Sequence, residues 1–272
     1  CNIKTKIMFG KETFINKKIL IYGLGLSGKS CLKYLYKLNQ INIYDDDKSL
    51  KNKHNKKLFL NITKILNKKF DYIILSPGID IKKCRLKNFL LKNKKKIITE
   101  LDIFYLIFPK NIKITITGTN GKSTTCQMLY NILRLNKLDA RLVGNIGNSP
   151  LLEKKIKRKT IFIVEASSYQ IFYSKYFKTH HAAILNLSAD HLERHGNINE
   201  YARAKLKLIL SQNKNNYSYI EKNNFIINKN ISKNNIKSKL YKLDFNKQAF
   251  FKKKITNEYL LDKNNLNNVH FV

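Results

Sequence analysis

Ile114-Thr115-Ile116-Thr117-Gly118-Thr119-Asn120-Gly121-Lys122-Ser123-Thr124 decides how the chain is read. An apolar, β-branched run ends at a glycine turn and passes into a helical pattern from about Lys122 to Leu135. Backbone N–H groups in such a turn wrap a phosphate, and the helix N-terminus adds its dipole. Lys122 is positioned to neutralise the β- and γ-phosphates, and the Ser123 hydroxyl to ligate magnesium. The general pattern asks for glycine five residues before Gly121, where Ile116 stands, so this is a variant loop. A carboxylate partner follows another buried strand in Ile161-Phe162-Ile163-Val164-Glu165-Ala166-Ser167-Ser168-Tyr169-Gln170. Glu165 at such a strand end is suited to Mg²⁺, directly or through water.

The surrounding pattern is α/β. Strands are expected at Lys18–Tyr22, Ile41–Tyr44, Tyr72–Leu75, Ile112–Thr117, Ile161–Val164 and Ala182–Leu187, with a helix from about Lys29 to Leu38. Two glycine turns following strands suggest two nucleotide-type domains, with a boundary near Lys96 to Pro109. The expected division is a Rossmann-like domain over residues 1–98 and a P-loop-type central ATPase domain, mostly parallel, over 99–272. The first turn, Gly23-x-Gly25-x-x-Gly28 with Asp45 after the next strand, also fits a dinucleotide fingerprint, so a nicotinamide oxidoreductase is a competing reading.

Lys and Arg number 53 against 18 Asp and Glu, a formal net charge of +35. That excess raises a second alternative, a nucleic-acid-binding ATPase. The lysines are scattered, however, with only short runs at Lys94–Lys96 and Lys252–Lys254, and no concentrated basic face with stacking aromatics is evident. Cys1, Cys31, Cys84 and Cys126 have no metal-ligand or disulfide spacing, which favours a reducing compartment. No apolar run approaches the roughly 20 residues that span a bilayer.

These segments, with Gly144-Asn145-Ile146-Gly147 and Ala183-Ile184-Leu185-Asn186-Leu187-Ser188-Ala189-Asp190-His191-Leu192-Glu193-Arg194-His195-Gly196, resemble the Mur ligases. Glu165-Ala-Ser-Ser-Tyr-Gln170 and Gly23-Leu-Gly-Leu-Ser-Gly28 look closest to the branch that adds D-glutamate. The resemblance implies an ATP-dependent amide ligase of peptidoglycan precursor synthesis, acting through an acyl phosphate on UDP-N-acetylmuramoyl-L-alanine. Another Mur ligase, adding a different amino acid, is the nearest alternative.

The resemblance further implies that Gly118, Thr119, Asn120, Gly121, Lys122, Ser123 and Thr124 hold ATP phosphate. Two Mg²⁺ ions would be served by Ser123 and Glu165, and by His191 with Lys205 as a CO₂-derived carbamate. Lys122, Lys205 and His191 would be the catalytic set. Asn145, Gln170 and His191 would contact the sugar-peptide substrate; Leu26, Ser27, Asp45 and Ser76 would line the UDP site, with Asp45 at the uracil end. Asn268 matches an adenine contact, although Asn264 stands where the family has His. A third, C-terminal domain is expected to be absent, leaving a fragment that binds nucleotides weakly and completes no ligation. The remaining expectations are a cytoplasmic monomer with neither a nucleic-acid nor a membrane partner.

Overall fold

The computed structural model describes residues 10–53, 55–245, 255, 260 and 262–272, apart from the side chains at 11, 52, 53, 263 and 264. Cys1, the Lys252–Lys254 run and the Asn264 side chain lie outside them. The chain divides into two compact units. One comprises residues up to Pro109 with Ser149–Leu152 and Tyr173–Phe177; the other comprises Lys110–Asn148, Glu153–Phe172 and Lys178–Val272.

In the first unit β1 (Lys18–Tyr22), β2 (Gln40–Tyr44), β3 (Tyr72–Leu75) and β4 (Ile97–Ile98) form a parallel sheet in the order β2-β1-β3-β4. Its strands read as continuous aliphatic runs because both faces are covered; Ile19, Leu20, Ile21 and Tyr22 are wholly buried. The helices are α1 (Leu26–Leu35), α2 (Leu50–Lys53), α3 (Ile62–Leu66), α4 (Lys87–Lys92) and α5 (Glu100–Ile107). Helix α1 starts before the expected Lys29 because Gly25, extended at ψ −166°, is its N-cap. Tyr36–Leu38 continue it only as a 3₁₀ turn.

Helix α5 is apolar almost all round, the pattern of a buried helix, and only Tyr105 of its residues is not buried. A Thr99–Asp102 capping box starts it. Two segments distant in sequence are fastened to its first turn. Glu100 accepts the Ser149 hydroxyl at 2.5 Å, and Ser149 also meets Ser30. Asp102 Oδ1 accepts the N–H groups of Lys175, Tyr176 and Phe177 at 2.8, 2.7 and 3.0 Å.

The second unit is built on β5 (Lys113–Thr117), β6 (Ala140–Gly144), β7 (Ile161–Glu165), β8 (His181–Ile184), β9 (Tyr217–Glu221) and β10 (Lys239–Leu243). All are parallel, in the order β10-β9-β8-β5-β7-β6. The chain moves from β5 towards β6 and β7 and then crosses to β8, so the strand order reverses at β5. Open α/β sheets bind ligands at the carboxyl ends of strands beside such a switch, and β5 leads into Gly118. The helices are α6 (Lys122–Leu135), α7 (Ser168–Tyr173), α8 (Leu192–His195), α9 (Ile198–Leu210), α10 (Phe225–Ile231) and α11 (Lys263–Val269). Strand β8 stops at Ile184, short of the expected Leu187. After Leu185 N–H bonds Thr117 O at 2.9 Å, Asn186 leaves the ladder for the glycine loop. Among the described residues no helix is long and apolar enough to cross a membrane.

Lys113 at the start of β5 has no exposed surface and donates to Asn111 O at 3.0 Å. Burial lowers its pKa from 10.5 to about 7. Between those values the unfolded chain holds a proton that the native chain lacks, so stability rises with pH. Partial burial lowers the imidazoles of His180 and His181 too, as burial does that of buried His195, and they add the same slope at more acid pH. The melting temperature is therefore expected to rise from pH 6 to about 8.5, and Lys113→Met to flatten the upper part of that rise. An identical profile in the variant would show that Lys113 stays charged in the fold.

Candidate functional site

The loop after β5 is braced from outside its own sequence. Thr119 and Asn120 N–H groups donate to Asn186 Oδ1 at 3.1 and 2.9 Å, and Asn186 Nδ2 returns a bond to Asn120 O at 3.1 Å. Thr119 Oγ1 accepts from Ser188 N–H at 3.1 Å. Gly121 is left-handed at φ +82°, and a methyl group there would lie 2.3 Å from Asn268 Oδ1. Asn268 is buried on α11, directly against the loop. Gly121 supplies no side-chain cap to α6, so the first-turn N–H groups of this long helix, Lys122 to Thr124, point at whatever enters.

Two lysine side chains converge on one carbonyl. Lys122 Nζ donates to Gly118 O and Thr119 O at 3.0 and 2.8 Å. Lys205 Nζ donates to Gly118 O at 2.8 Å and to Thr117 Oγ1 at 3.4 Å. Lys205 is 2% exposed on the inner face of α9, and its Nζ lies 4.6 Å from the Tyr201 ring centre. Burial, then the nearby charge of Lys122, lowers its pKa to about 7. A large fraction of it is therefore a neutral, nucleophilic amine at neutral pH.

Glu165 ends β7 with 1% exposure. Its Oε2 accepts the Ser123 hydroxyl at 2.7 Å and its Oε1 the Asn145 amide at 2.9 Å. Those side-chain donors are neutral, and no Lys or Arg among the described residues forms an ion pair with Glu165. His191 is left-handed at φ 52° and half-exposed, with Nε2 3.4 Å from Asp190 Oδ2. Two rings flank it, Tyr169 at 4.9 Å and Tyr201 at 6.2 Å between centroids, and Tyr201 in turn lies against Lys205. Gln170 Oε1 accepts Ser167 N–H at 2.9 Å while Gln170 N–H bonds Ser167 Oγ, so Gln170 closes the first turn of α7.

The other expected residues gather in the first unit. Leu24 N–H and Asp47 N–H donate to Asp45 Oδ2 and Oδ1 at 2.6 and 2.9 Å. The Ser76 hydroxyl donates to Gly23 O at 2.7 Å. A methyl group at Gly28 would lie 1.9 Å from that same carbonyl, so the third glycine allows α1 to pack against the turn. Leu26 is 89% exposed and Ser27 half-buried at the uncapped start of α1. A cavity of about 390 Å³ opens beside Asp45, lined also by Tyr44, Asp46, Phe59 and Arg85.

Residues 116–269 match the Mur ligase middle domain, and residues 17–98 match the Mur ligase MurD-like N-terminal domain. The chain belongs to the Mur ligase family. It is 35% identical over 252 residues to the UDP-N-acetylmuramoylalanine–D-glutamate ligase of Elusimicrobium minutum, covering 86% of this chain and 54% of that protein. The ligase of the same name from Rickettsia prowazekii is 34% identical over 220 residues, covering 78% and 48%. The chain thus spans about half the length of the curated relatives it matches. Among solved structures, a Neisseria UDP-N-acetylmuramate:L-alanyl-gamma-D-glutamyl-meso-diaminopimelate ligase has a TM-score of 0.54 at 15% identity, covering 84% of this chain and 78% of that one. This likeness concerns the fold.

Mur ligases use ATP, so membership implies a nucleoside triphosphate site, and the β5–α6 loop has the form for it. Ser123, Glu165 and Asn145 form one hydrogen-bonded row, with Lys122 and Lys205 meeting at the loop carbonyl and Asn268 against Gly121. Sequence reasoning assigned no role to Asn186, Tyr201, Tyr169 or His195. Asn186 carried a signal, an amide two residues beyond a strand end, but its partner lies 67 positions earlier. Tyr201 carried one as well, since it precedes Lys205 by one helical turn and so shares its face.

Proposed function

We propose that this chain carries the ATP and nucleotide-sugar sites of a cytoplasmic ligase that joins D-glutamate to UDP-N-acetylmuramoyl-L-alanine. The γ-phosphoryl group of ATP would pass to the L-alanine carboxylate, and the D-glutamate amine would displace phosphate from the resulting acyl phosphate. The observation that carries this reading is Glu165, a buried carboxylate held between Ser123 of the glycine loop and Asn145 with only neutral side-chain partners. A buried carboxylate without a countercharge is unfavourable, and a hard cation at this oxygen set relieves it. The residues therefore fit a magnesium ion held by Ser123 and Glu165. When bound, such an ion neutralises phosphate charge and polarises the phosphoryl oxygen.

Lys122 exchanges loop carbonyls for phosphate oxygens, and the amides of Gly121 to Thr124 supply the remaining donors. The neutral amine of Lys205 would add to CO₂ and release one proton, giving a carbamate, an oxygen donor that with His191 would serve a second ion. Asn145, Gln170 and His191 are the proposed sugar-peptide contacts. Leu26, Ser27, Asp45 and Ser76 are the proposed UDP contacts, with the uracil in the cavity beside Asp45. Asn268 is the proposed adenine contact. D-glutamate as the incoming amino acid is supported by the names of the curated relatives and by Glu165-Ala-Ser-Ser-Tyr-Gln170. We take the ligase to act as a monomer.

The test is calorimetry of this chain with UDP-MurNAc-L-alanine, UDP-MurNAc, UDP-MurNAc-dipeptide and a DNA duplex at two salt concentrations. The expected result is a preference for the L-alanine compound that survives added salt. Equal binding of the three sugars would remove the substrate assignment. Strong, salt-sensitive DNA binding in their place would make the charge excess the functional feature.

A further inference from the structure

We infer that His195 is a positioning residue, which fixes the Tyr169 and Tyr201 rings and through them the Lys205 amine and the His191 imidazole. The functional meaning of this role rests on the reading of Lys205 and His191 proposed above. His195 closes the short helix α8 and is 4% exposed. Its Nε2 lies 3.0 Å from Ser168 Oγ at the start of α7.

Three rings wall the imidazole. Tyr169 stacks on it at 5.6 Å and 13°, Phe172 meets it edge-on at 5.5 Å, and Tyr201 from α9 leans on it at 5.3 Å. Helices α7, α8 and α9 therefore meet at one side chain. From there the contacts run outward: Tyr201 lies under Lys205 Nζ at 4.6 Å, and its hydroxyl is 3.3 Å from Thr119 Oγ1 of the loop. Tyr169 faces the His191 ring and donates its hydroxyl to Glu193 at 3.1 Å.

The other nitrogen argues that the residue is more than filler. His195 Nδ1 is buried and finds no hydrogen-bond partner among the described residues, an unfavourable arrangement that a phenyl ring would avoid. Packing alone is thus better served by Phe. What the imidazole adds is the Nε2 contact with Ser168, itself buried, which sets the ring angle on which Tyr169 and Tyr201 rest.

The test uses the full 272-residue chain labelled with [ε-¹³C]lysine, with Lys205→Arg to assign the Lys205 methylene resonance. That resonance is expected to carry a ring-current displacement from Tyr201. His195→Phe and Ser168→Ala should each move it towards the ordinary lysine position. His195→Gln, which keeps an amide near Nε2, should restore most of the displacement. With [¹³C]bicarbonate, carbamate formed on Lys205 should fall several-fold in the first two variants and recover in the third. If His195→Phe, folded by its melting curve, leaves both the methylene resonance and the carbamate yield unchanged, the inference is overturned. If the parent chain forms no carbamate, the reading of Lys205 fails, while the methylene displacement still decides the role of His195.

Discussion

Replacing Lys122 by Met is expected to weaken binding of magnesium ATP by about two orders of magnitude while leaving adenosine affinity unchanged. In the structure the Lys122 ammonium group is satisfied by two neutral carbonyls, Gly118 O and Thr119 O. A phosphate oxygen offers a charge-assisted bond instead, and bonds to charged groups contribute about 1.5–3 kcal/mol. The upper end of that range corresponds to about a hundredfold in affinity. Methionine retains the apolar stem, so the first turn of α6 stays packed and the melting temperature should change little. The adenosine comparison locates the loss. A lysine reaching only the phosphates affects ATP and ADP, whereas a collapsed loop would also release adenosine through Asn268, which rests on Gly121. Equal ATP affinity in parent and variant, measured by calorimetry, would remove Lys122 from the phosphate site.

The parts legible in the sequence are those whose chemistry is local. The run from Ile112 to Leu135 declares a strand, a turn and a helix within one stretch of chain; β5 begins one residue later than expected, at Lys113, and α6 has the expected bounds. Elements defined by distant partners are less legible. Strand β6 was not expected because Arg141 interrupts a short apolar run; in the fold Arg141 pairs with Asp139 at 3.0 Å and with Glu153 at 3.3 Å. The Lys96–Pro109 stretch, expected to hold a boundary, carries β4 and the buried helix α5 before the first unit's main segment ends at Pro109, and the segments fastened to that helix come from beyond residue 148. At the candidate site, residue types could be assigned but not their present engagements. Gln170 and Asp45, expected to face substrate, each also hold backbone N–H groups of their own turns. The aromatic wall of Tyr169, Phe172, His195 and Tyr201 arises only when three helices converge, and no spacing in the sequence announces it.

Asp102→Ala is expected to destabilise the chain by about 3–5 kcal/mol, because several N–H donors lose their acceptor at about 1–3 kcal/mol for each one left buried and unsatisfied. Asp102 has no exposed surface. Besides three consecutive N–H groups on Oδ1, it accepts Thr99 N–H and the Thr99 hydroxyl on Oδ2 at 2.9 and 3.0 Å. Alanine would leave the segment Tyr173–Phe177 without the acceptor that fastens it to α5, and would open the capping box at the same time. Burial raises the Asp102 pKa, and the N–H bonds from Tyr176, Thr99, Lys175 and Phe177 offset this only in part. Between the ordinary 3.8 and that raised value the unfolded chain is ionised while the native chain keeps its proton, so this group makes stability fall as pH rises through the window. Asp102→Asn separates charge from geometry. Its oxygen can still receive the three N–H groups, but its NH₂ would oppose Thr99 N–H, so a loss of about 1–3 kcal/mol is expected. Urea unfolding of the three proteins measures both, with an unchanged slope showing that only stability has moved. A loss below about 1 kcal/mol in Asp102→Ala, the scale of an ordinary surface substitution, would mean that the segment is held by apolar packing around Phe177 and not by the carboxylate.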